Sequence, residues 1–290
     1  MGISEGGEAM NVIYTCCDEK YQWFLPTWAY SAKKAFPDSE IKVDFYGDLH
    51  TDCLALLQRI GVRVAFLECY NLIPSCTRFT FNSKDGSEVL ITDCDIAFLD
   101  SGVLDYLRTK MLLDGLGCYA AFQGARKRPI RPDIAPDGWV GNMRRLCGGF
   151  VLVTPEWWSR TVKARVKYHT MIHEHSWGEY READEVMLCR ICEESGLPLP
   201  GYQKFAEIHR NLHVGDFRED MNHRWTNDVK MKRLLPAPSI DKAKTLLEDE
   251  GFQDVLSVVR LHGDEVATFA WNIAIAHIMS FQNPASLGRV

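Results

Sequence analysis

Two periods of apolar residues alternate along the chain, and they predict different elements. Met10 to Thr15 reads as a first strand. Leu25, Trp28, Ala29, Ala32 and Phe36 then recur at helical spacing, with Pro26 in the first turn, where no backbone N–H is required. Ile41, Val43 and Phe45 alternate as a second strand closed by Gly47. Leu54, Leu57 and Ile60 make a helical face capped by Gly61, and Val62 to Leu67 is a third strand. Val89-Leu90-Ile91 leaves no polar face and predicts a short buried strand. Beyond it, Val103 to Leu113 is helical and Gly117 to Gln123 is a strand, while Gly148 to Val153 is a strand opened by two glycines. Pro155 to Tyr168 is a helix with Thr154 as its N-cap, and Ala183 to Ser195 is a helix ended by Gly196. Strands alternating with helices predict an α/β fold with a mostly parallel central sheet flanked by helices.

From Pro236 the texture changes. Ser239 caps a helix from Ile240 to Glu250, and Gly251 and Gly263 punctuate two more. The expected organisation is a disordered N-terminus (1–9), a catalytic domain (10–235) and a helical C-terminal extension (236–290) packed on it.

Composition narrows the class. With 290 residues, 46% hydrophobic and 25% charged, the chain can bury one large core. A net charge of -6 argues against a general nucleic-acid binder. The longest apolar stretch, Val266 to Met279, is short for a membrane span and is broken by Thr268, Asn272 and His277. The ten cysteines are scattered through predicted elements, and Met1 to Met10 lacks the apolar centre of a secretion signal. Reduced thiols in a cytoplasmic setting are the expectation. Cys189-Arg190-Ile191-Cys192 has CxxC spacing inside a helix and reads as packing ahead of redox or metal use. His169, His173 and His175 read as exposed.

The candidate chemistry centres on Asp93-Cys94-Asp95, which ends the buried Val89–Ile91 run. Side chains alternate at a strand tip, so Asp93 and Asp95 lean one way and Cys94 the other. Two solvated aspartates in a turn are the plain reading. The chemical one is a site for Mn²⁺ or Mg²⁺, hard cations that also carry phosphate oxygens. In open α/β sheets, ligands bind at the carboxyl ends of strands, where this pair stands. Gly148-Gly149 lets a ligand approach the backbone, or marks a simple bulge. Asp184-Glu185 opens a helix, where acids also complement the dipole. Arg126-Lys127-Arg128 reads first as a solvated face and second as a contact for an anionic ligand.

In chain order these parts are a strand ending at Thr15, an arginine at Arg78, Asp93-Cys94-Asp95, Gly148-Gly149, Asp184-Glu185 and His213-Val214-Gly215. Over residues 10–218 this order resembles the GT-A glycosyltransferases, and most of all the family-8 type that includes glycogenin and the bacterial lipooligosaccharide galactosyltransferases. The resemblance implies a GT-A, Rossmann-like catalytic domain. It also implies transfer of a sugar from a nucleotide diphosphate donor, with a UDP-sugar favoured, to a glycan or other hydroxyl acceptor. It places Asp93, Asp95 and His213 on the metal. Thr15, Tyr21, Arg78, Asp93, Gly148, Gly149 and Arg218 fall on the nucleotide-sugar, and Asp184 and Glu185 on the sugar side as catalytic acids.

The chain departs from the family pattern at two places. His213-Val214-Gly215-Asp216-Phe217-Arg218 is one residue shorter than the family's His-x-x-Gly-x-x-Lys-Pro-Trp and leaves His209 as a rival ligand. Asp184-Glu185 stands where the family has Asp-Gln, so both an inverting general base and a retaining mechanism stay open, with retention favoured by the resemblance. A haloacid-dehalogenase-type phosphohydrolase and a non-catalytic nucleotide-sugar-binding protein are the rival readings. A sugar nucleotidyltransferase ranks lower, because no Gly-rich, Arg/Lys-containing loop follows the first strand.

Overall fold

The computed structural model describes residues 12–68, 74–80, 87–114, 118–125, 144–174, 183–199, 211–217 and 237–280. Its core is a six-stranded sheet in the order β3-β2-β1-β4-β7-β6. The strands are β1 (Val12–Asp18), β2 (Glu40–Tyr46), β3 (Arg63–Leu67), β4 (Val89–Thr92), β6 (Cys118–Ala125) and β7 (Arg144–Val153). β1 to β4 run parallel, and β7 lies antiparallel to both β4 and β6. Five strands therefore share one direction, as the alternating pattern predicts. A separate two-residue pair, β5 (Ile96–Ala97) with β8 (Leu212–His213), sits beyond the end of β4.

Helices cover both faces, and strand alternation decides which residue meets which. Ile13 and Leu90 face one core, built with α1 (Leu25–Ala35), α2 (Thr51–Ile60) and α4 (Gly102–Asp114). Val12, Tyr14, Val89 and Ile91 face the other, built with α3 (Pro74–Thr80), α5 (Pro155–Glu174) and α6 (Ala183–Glu194). Burying a large aliphatic or aromatic side chain is worth about 1.5–3 kcal/mol, so a β4 that is apolar on both faces is pinned from both sides.

Residues 237–280 form α7 (Ala237–Leu247), α8 (Glu250–His262) and α9 (Glu265–Ser280), with no strand among the described residues. These helices share the α1-side core through Ile240, Phe252, Leu256 and Trp271. The boundaries differ from expectation for a physical reason. α7 begins at Ala237, so Ser239 lies in its first turn instead of capping it, and it ends at Leu247; Asp249, whose side chain accepts from Phe252 N at 2.9 Å, caps α8. Gly251 lies inside α8 rather than at a helix end, and a Cβ there would overlap the Tyr30 hydroxyl. Thr154 does cap α5, accepting from Trp157 N at 3.2 Å.

Three further expectations are corrected or refined. β7 starts four residues before Gly148, so the glycine pair lies within the strand rather than at its opening. His169 is half-buried, with Nδ1 3.0 Å from Thr80 Oγ1, rather than exposed. Cys189 and Cys192 are buried free thiols, and Cys192 Sγ accepts from Trp157 Nε1 at 3.4 Å, in keeping with a packing role.

Candidate active site

β1 is where the strand order reverses: β2 and β3 lie on one side of it and β4 on the other. Crevices at the carboxyl edge of such a switch point are where open α/β sheets bind ligands. β1 carries Thr15 to Asp18 to that edge, and β4 carries Asp93 there. Asp95 follows in the turn that leads into β5.

The alternation that places Val89 and Ile91 on the α3/α6 side continues to Asp93, while Cys94 is buried in the α1-side core. Asp93 Oδ1 accepts from Arg78 Nη1 at 2.5 Å, and Arg78 Nη2 donates to Asp184 Oδ2 at 2.8 Å. One guanidinium, 3% exposed, thus joins an acid from β4 to an acid from the first turn of α6. Burial works against the charge on Arg78, but Asp93 and Asp184 outweigh it and raise its pKa. Burial raises the Asp184 carboxyl, with Arg78 partly opposing.

Asp95 meets a histidine 118 residues away, its Oδ1 3.0 Å from His213 Nε2. The β5–β8 register produces this meeting by setting Ile96 opposite His213. Val214 N also donates to the Asp95 carbonyl at 2.8 Å. Burial alone would lower the His213 pKa, but Asp216 and Asp95 outweigh it and raise it to about 10.

Three glycines make room for the acids. A Cβ at Gly148 would overlap Asp184 Oδ2, one at Gly149 would overlap Asp93 Oδ2, and one at Gly215 would overlap Asp95 Oδ2. Gly149 also accepts from Asp93 N at 2.9 Å, which holds the strand tip against β7. The glycine pair and the late His-x-Gly are therefore needed for the close approach of side chains.

The donor set fits a divalent cation. Asp93, Asp95 and His213 each offer one ligand atom, and these atoms lie within 4.8 Å of one another. Two hard carboxylate oxygens and an imidazole suit Mn²⁺ or Mg²⁺. Asp95 Oδ1 and His213 Nε2 stand 3.0 Å apart, a hydrogen-bond distance that is also about the separation of adjacent ligands around an octahedral ion with bonds of about 2.1 Å.

The other expected residues are less directly engaged. Thr15 is fully buried and its hydroxyl donates to the Thr92 carbonyl at 2.8 Å, so it braces the strand that carries Asp93. Trp28 Nε1 donates to Thr92 Oγ1 at 2.8 Å from the α1 side. Tyr21 is half-buried and packs on the α1-side core, with the Lys20 ammonium 5.2 Å from its ring centroid. Glu185 is half-buried beside Asp184, but the contacts of Arg78 go to Asp93 and Asp184. Arg218, His209 and Arg126 to Arg128 lie outside the described residues. Two groups were not anticipated. Asp18 ends β1 with Oδ1 buried and unpartnered among the described residues, and burial raises its pKa. Asp216 faces His213. An acid closing an apolar first strand was a usable signal for Asp18; nothing in the spacing marked Asp216.

No protein-family model matches the chain, and no curated protein matches it. Among solved structures the chain is similar to the galactosyltransferase LgtC in complex with donor and acceptor sugar analogs. That likeness has 16% identity and a TM-score of 0.38 over 80% of this chain and 100% of the other. It is also similar to the glycosyltransferase GlyE of Streptococcus pneumoniae TIGR4, at 14% identity and a TM-score of 0.45 over 87% of this chain and 63% of that one. A third likeness is to 4-diphosphocytidyl-2C-methyl-D-erythritol synthase of Anaerococcus prevotii DSM 20548. Here the identity is 10% and the TM-score 0.42, over 67% of this chain and 87% of that one. At these values the likeness transfers no activity, substrate or residue role to this chain.

Proposed function

We propose that the chain is a GT-A-type, divalent-cation-dependent glycosyltransferase that moves a sugar from a UDP-sugar to a glycan or other hydroxyl acceptor. The observation that carries this reading is the convergence of Asp93, Asp95 and His213 at the β1/β4 switch point, joined through Arg78 to Asp184. Asp93, Asp95 and His213 would hold Mn²⁺ or Mg²⁺. A divalent cation bound there supplies positive charge to the diphosphate leaving group. Arg78 fixes the separation of Asp93 from Asp184 and so orients the donor end against the sugar end.

Asp184 offers a carboxylate to the oxocarbenium-like centre, and retention of the anomer is the proposed outcome. Glu185 is the base of the competing, inverting route. The unpartnered oxygen of Asp18 calls for an N–H donor. The ring N–H of uracil or guanine and the exocyclic amino group of cytosine are all donors of this kind, so the oxygen marks a place for the base without choosing it.

Thermal shift with UDP-, GDP- and CDP-sugars, with and without Mn²⁺, tests the reading. UDP at about 100 times its dissociation constant should add about 2.7 kcal/mol, and EDTA should abolish the gain. Equal stabilisation in EDTA would refute the cation site. Release of phosphate from simple phosphoesters without UDP affinity would favour the phosphohydrolase. Donor binding with neither transfer nor hydrolysis would favour a binding protein.

A further inference from the structure

His213 is flanked by two carboxylates, and only Asp95 belongs to the ligand set described above. Its Nε2 is 3.0 Å from Asp95 Oδ1, and its Nδ1 is 3.5 Å from Asp216 Oδ2. The backbone dictates the second contact. His213 ends β8, and the 3₁₀ turn Val214–Phe217 begins at the next residue. Three residues per turn eclipse positions i and i+3, which sets Asp216 over His213. Buried Val214 and Phe217 hold the turn, and Gly215 lets Asp95 in from the other side.

A neutral imidazole has one nitrogen free for a cation only when the other carries the proton. His213 now hydrogen-bonds Asp95 through Nε2, and an acceptor at Nδ1 would hold the proton there once a cation takes Nε2 in place of that bond. Carboxylates in this position fix both the tautomer and the ring plane of metal-binding histidines.

We propose that Asp216 is a positioning residue: it holds the proton of His213 at Nδ1 and turns Nε2 toward Asp93 and Asp95, thereby setting the affinity of the pocket for a divalent cation. The proposal rests on the reading of Asp93, Asp95 and His213 as a cation site. A purely local role is the competitor, with Asp216 acting only as an acid in the first turn of the 3₁₀ helix. Such an acid would contribute to turn stability and to general charge, and would leave the tautomer alone.

The test uses the full chain stripped of metal and titrated with MnCl₂, with free Mn²⁺ followed by electron paramagnetic resonance. Asp216→Ala removes charge and acceptor, whereas Asp216→Asn keeps a carbonyl acceptor. Asp216→Ala should weaken Mn²⁺ binding about 10–100-fold, the usual effect of losing such a partner, and Asp216→Asn should lose clearly less. Nitrogen-15 spectra of wild-type protein loaded with diamagnetic Mg²⁺ should show His213 protonated at Nδ1. Equal losses in the two variants would overturn the proposal, as would an Nε2-protonated His213, which is read on wild-type protein and needs no variant to fold. Asp95→Asn separates the two levels of failure. Undiminished Mn²⁺ affinity in Asp95→Asn sinks the cation site itself. Lost affinity there, with wild-type affinity in Asp216→Ala, sinks only the role of Asp216.

Discussion

Replacing Arg78 by Met asks how strongly the two halves of the site are held together. The guanidinium is 3% exposed and donates to Asp93 at 2.5 Å and to Asp184 at 2.8 Å. Methionine matches the stem but leaves both acids facing each other across a buried gap. Breaking a buried ion pair by removing one partner costs about 3–5 kcal/mol. Asp93 keeps 34% of its side-chain exposure and Asp184 14%, so water relieves part of the penalty and the lower figure, about 3 kcal/mol, is expected. For a chain of this size that is a fall of about 6–12 °C in Tm.

The assay is urea unfolding in EDTA, followed by the fluorescence of buried Trp28, Trp157, Trp158 and Trp271. Adding Asp184→Asn to Arg78→Met removes one of the stranded charges and should recover about half the loss. In a parallel series without EDTA, Mn²⁺ should recover part of the rest by neutralising Asp93. An Arg78→Met protein within 0.5 kcal/mol of wild type would refute this account of the bridge. So would a double variant less stable than the single one.

Gly149→Ala leaves every charge in place but drives a methyl into Asp93 Oδ2. An overpacking strain of about 1–3 kcal/mol should appear as a loss of about 10–100-fold in Mn²⁺ affinity by calorimetry; unchanged affinity would show that Asp93 is not confined there. Asp249 caps α8 and bonds Lys34 and Tyr30, and these bonds hold its pKa at about 2. Because the folded value is depressed, its stabilisation is complete above the ordinary carboxylate range near 3.8 and is lost as pH falls through about 2. Asp249→Ala should cost about 1–2 kcal/mol at neutral pH, and its Tm–pH curve should be flatter than wild type over that acid window. Trp28→Phe strips Thr92 Oγ1 of its donor and should cost about 1–3 kcal/mol in urea unfolding; no change would mean that Thr92 finds another partner.

The alternating α/β architecture could be read from the sequence because the central strands β1 and β4 are buried on both faces, while the helices between strands carry their apolar residues at helical spacing. Val89 to Thr92 admitted no other reading once helices could cover it from two sides. Asp93 and Asp95 were legible because acids at the end of such a run need a partner. The partners themselves were not, since they depend on tertiary pairing. Arg78 reaches Asp184 only because α3 and α6 pack on the same sheet face, and His213 reaches Asp95 only through a two-residue strand pair. Gly148 and Gly149 were read as room for a ligand at the backbone or as a bulge, whereas the groups that fill the space are the Asp184 and Asp93 carboxylates, and only coordinates show which oxygen takes it. The helix ends were misplaced because α7 begins at Ala237, before Ser239, and because Asp249 caps α8 ahead of Gly251, whose missing side chain makes room for Tyr30 rather than ending a helix.

The pairing of β5 with β8 also bears on how the protein is made. The proposed ligand set is divided between residues 93–95 and residue 213, which enter the growing chain 118 residues apart at its final contact. A nascent chain that has only reached Asp95 holds both carboxylates and lacks His213 to complete them. A bound ion joining Asp95 to His213 would act as a removable cross-link around that long loop. A permanent link closing about 100 residues is worth about 4.7 kcal/mol in chain entropy, and an ion that binds only the closed form draws on the same source. Cation supply during synthesis would then influence how much of the chain escapes misfolding and degradation, before any substrate is encountered.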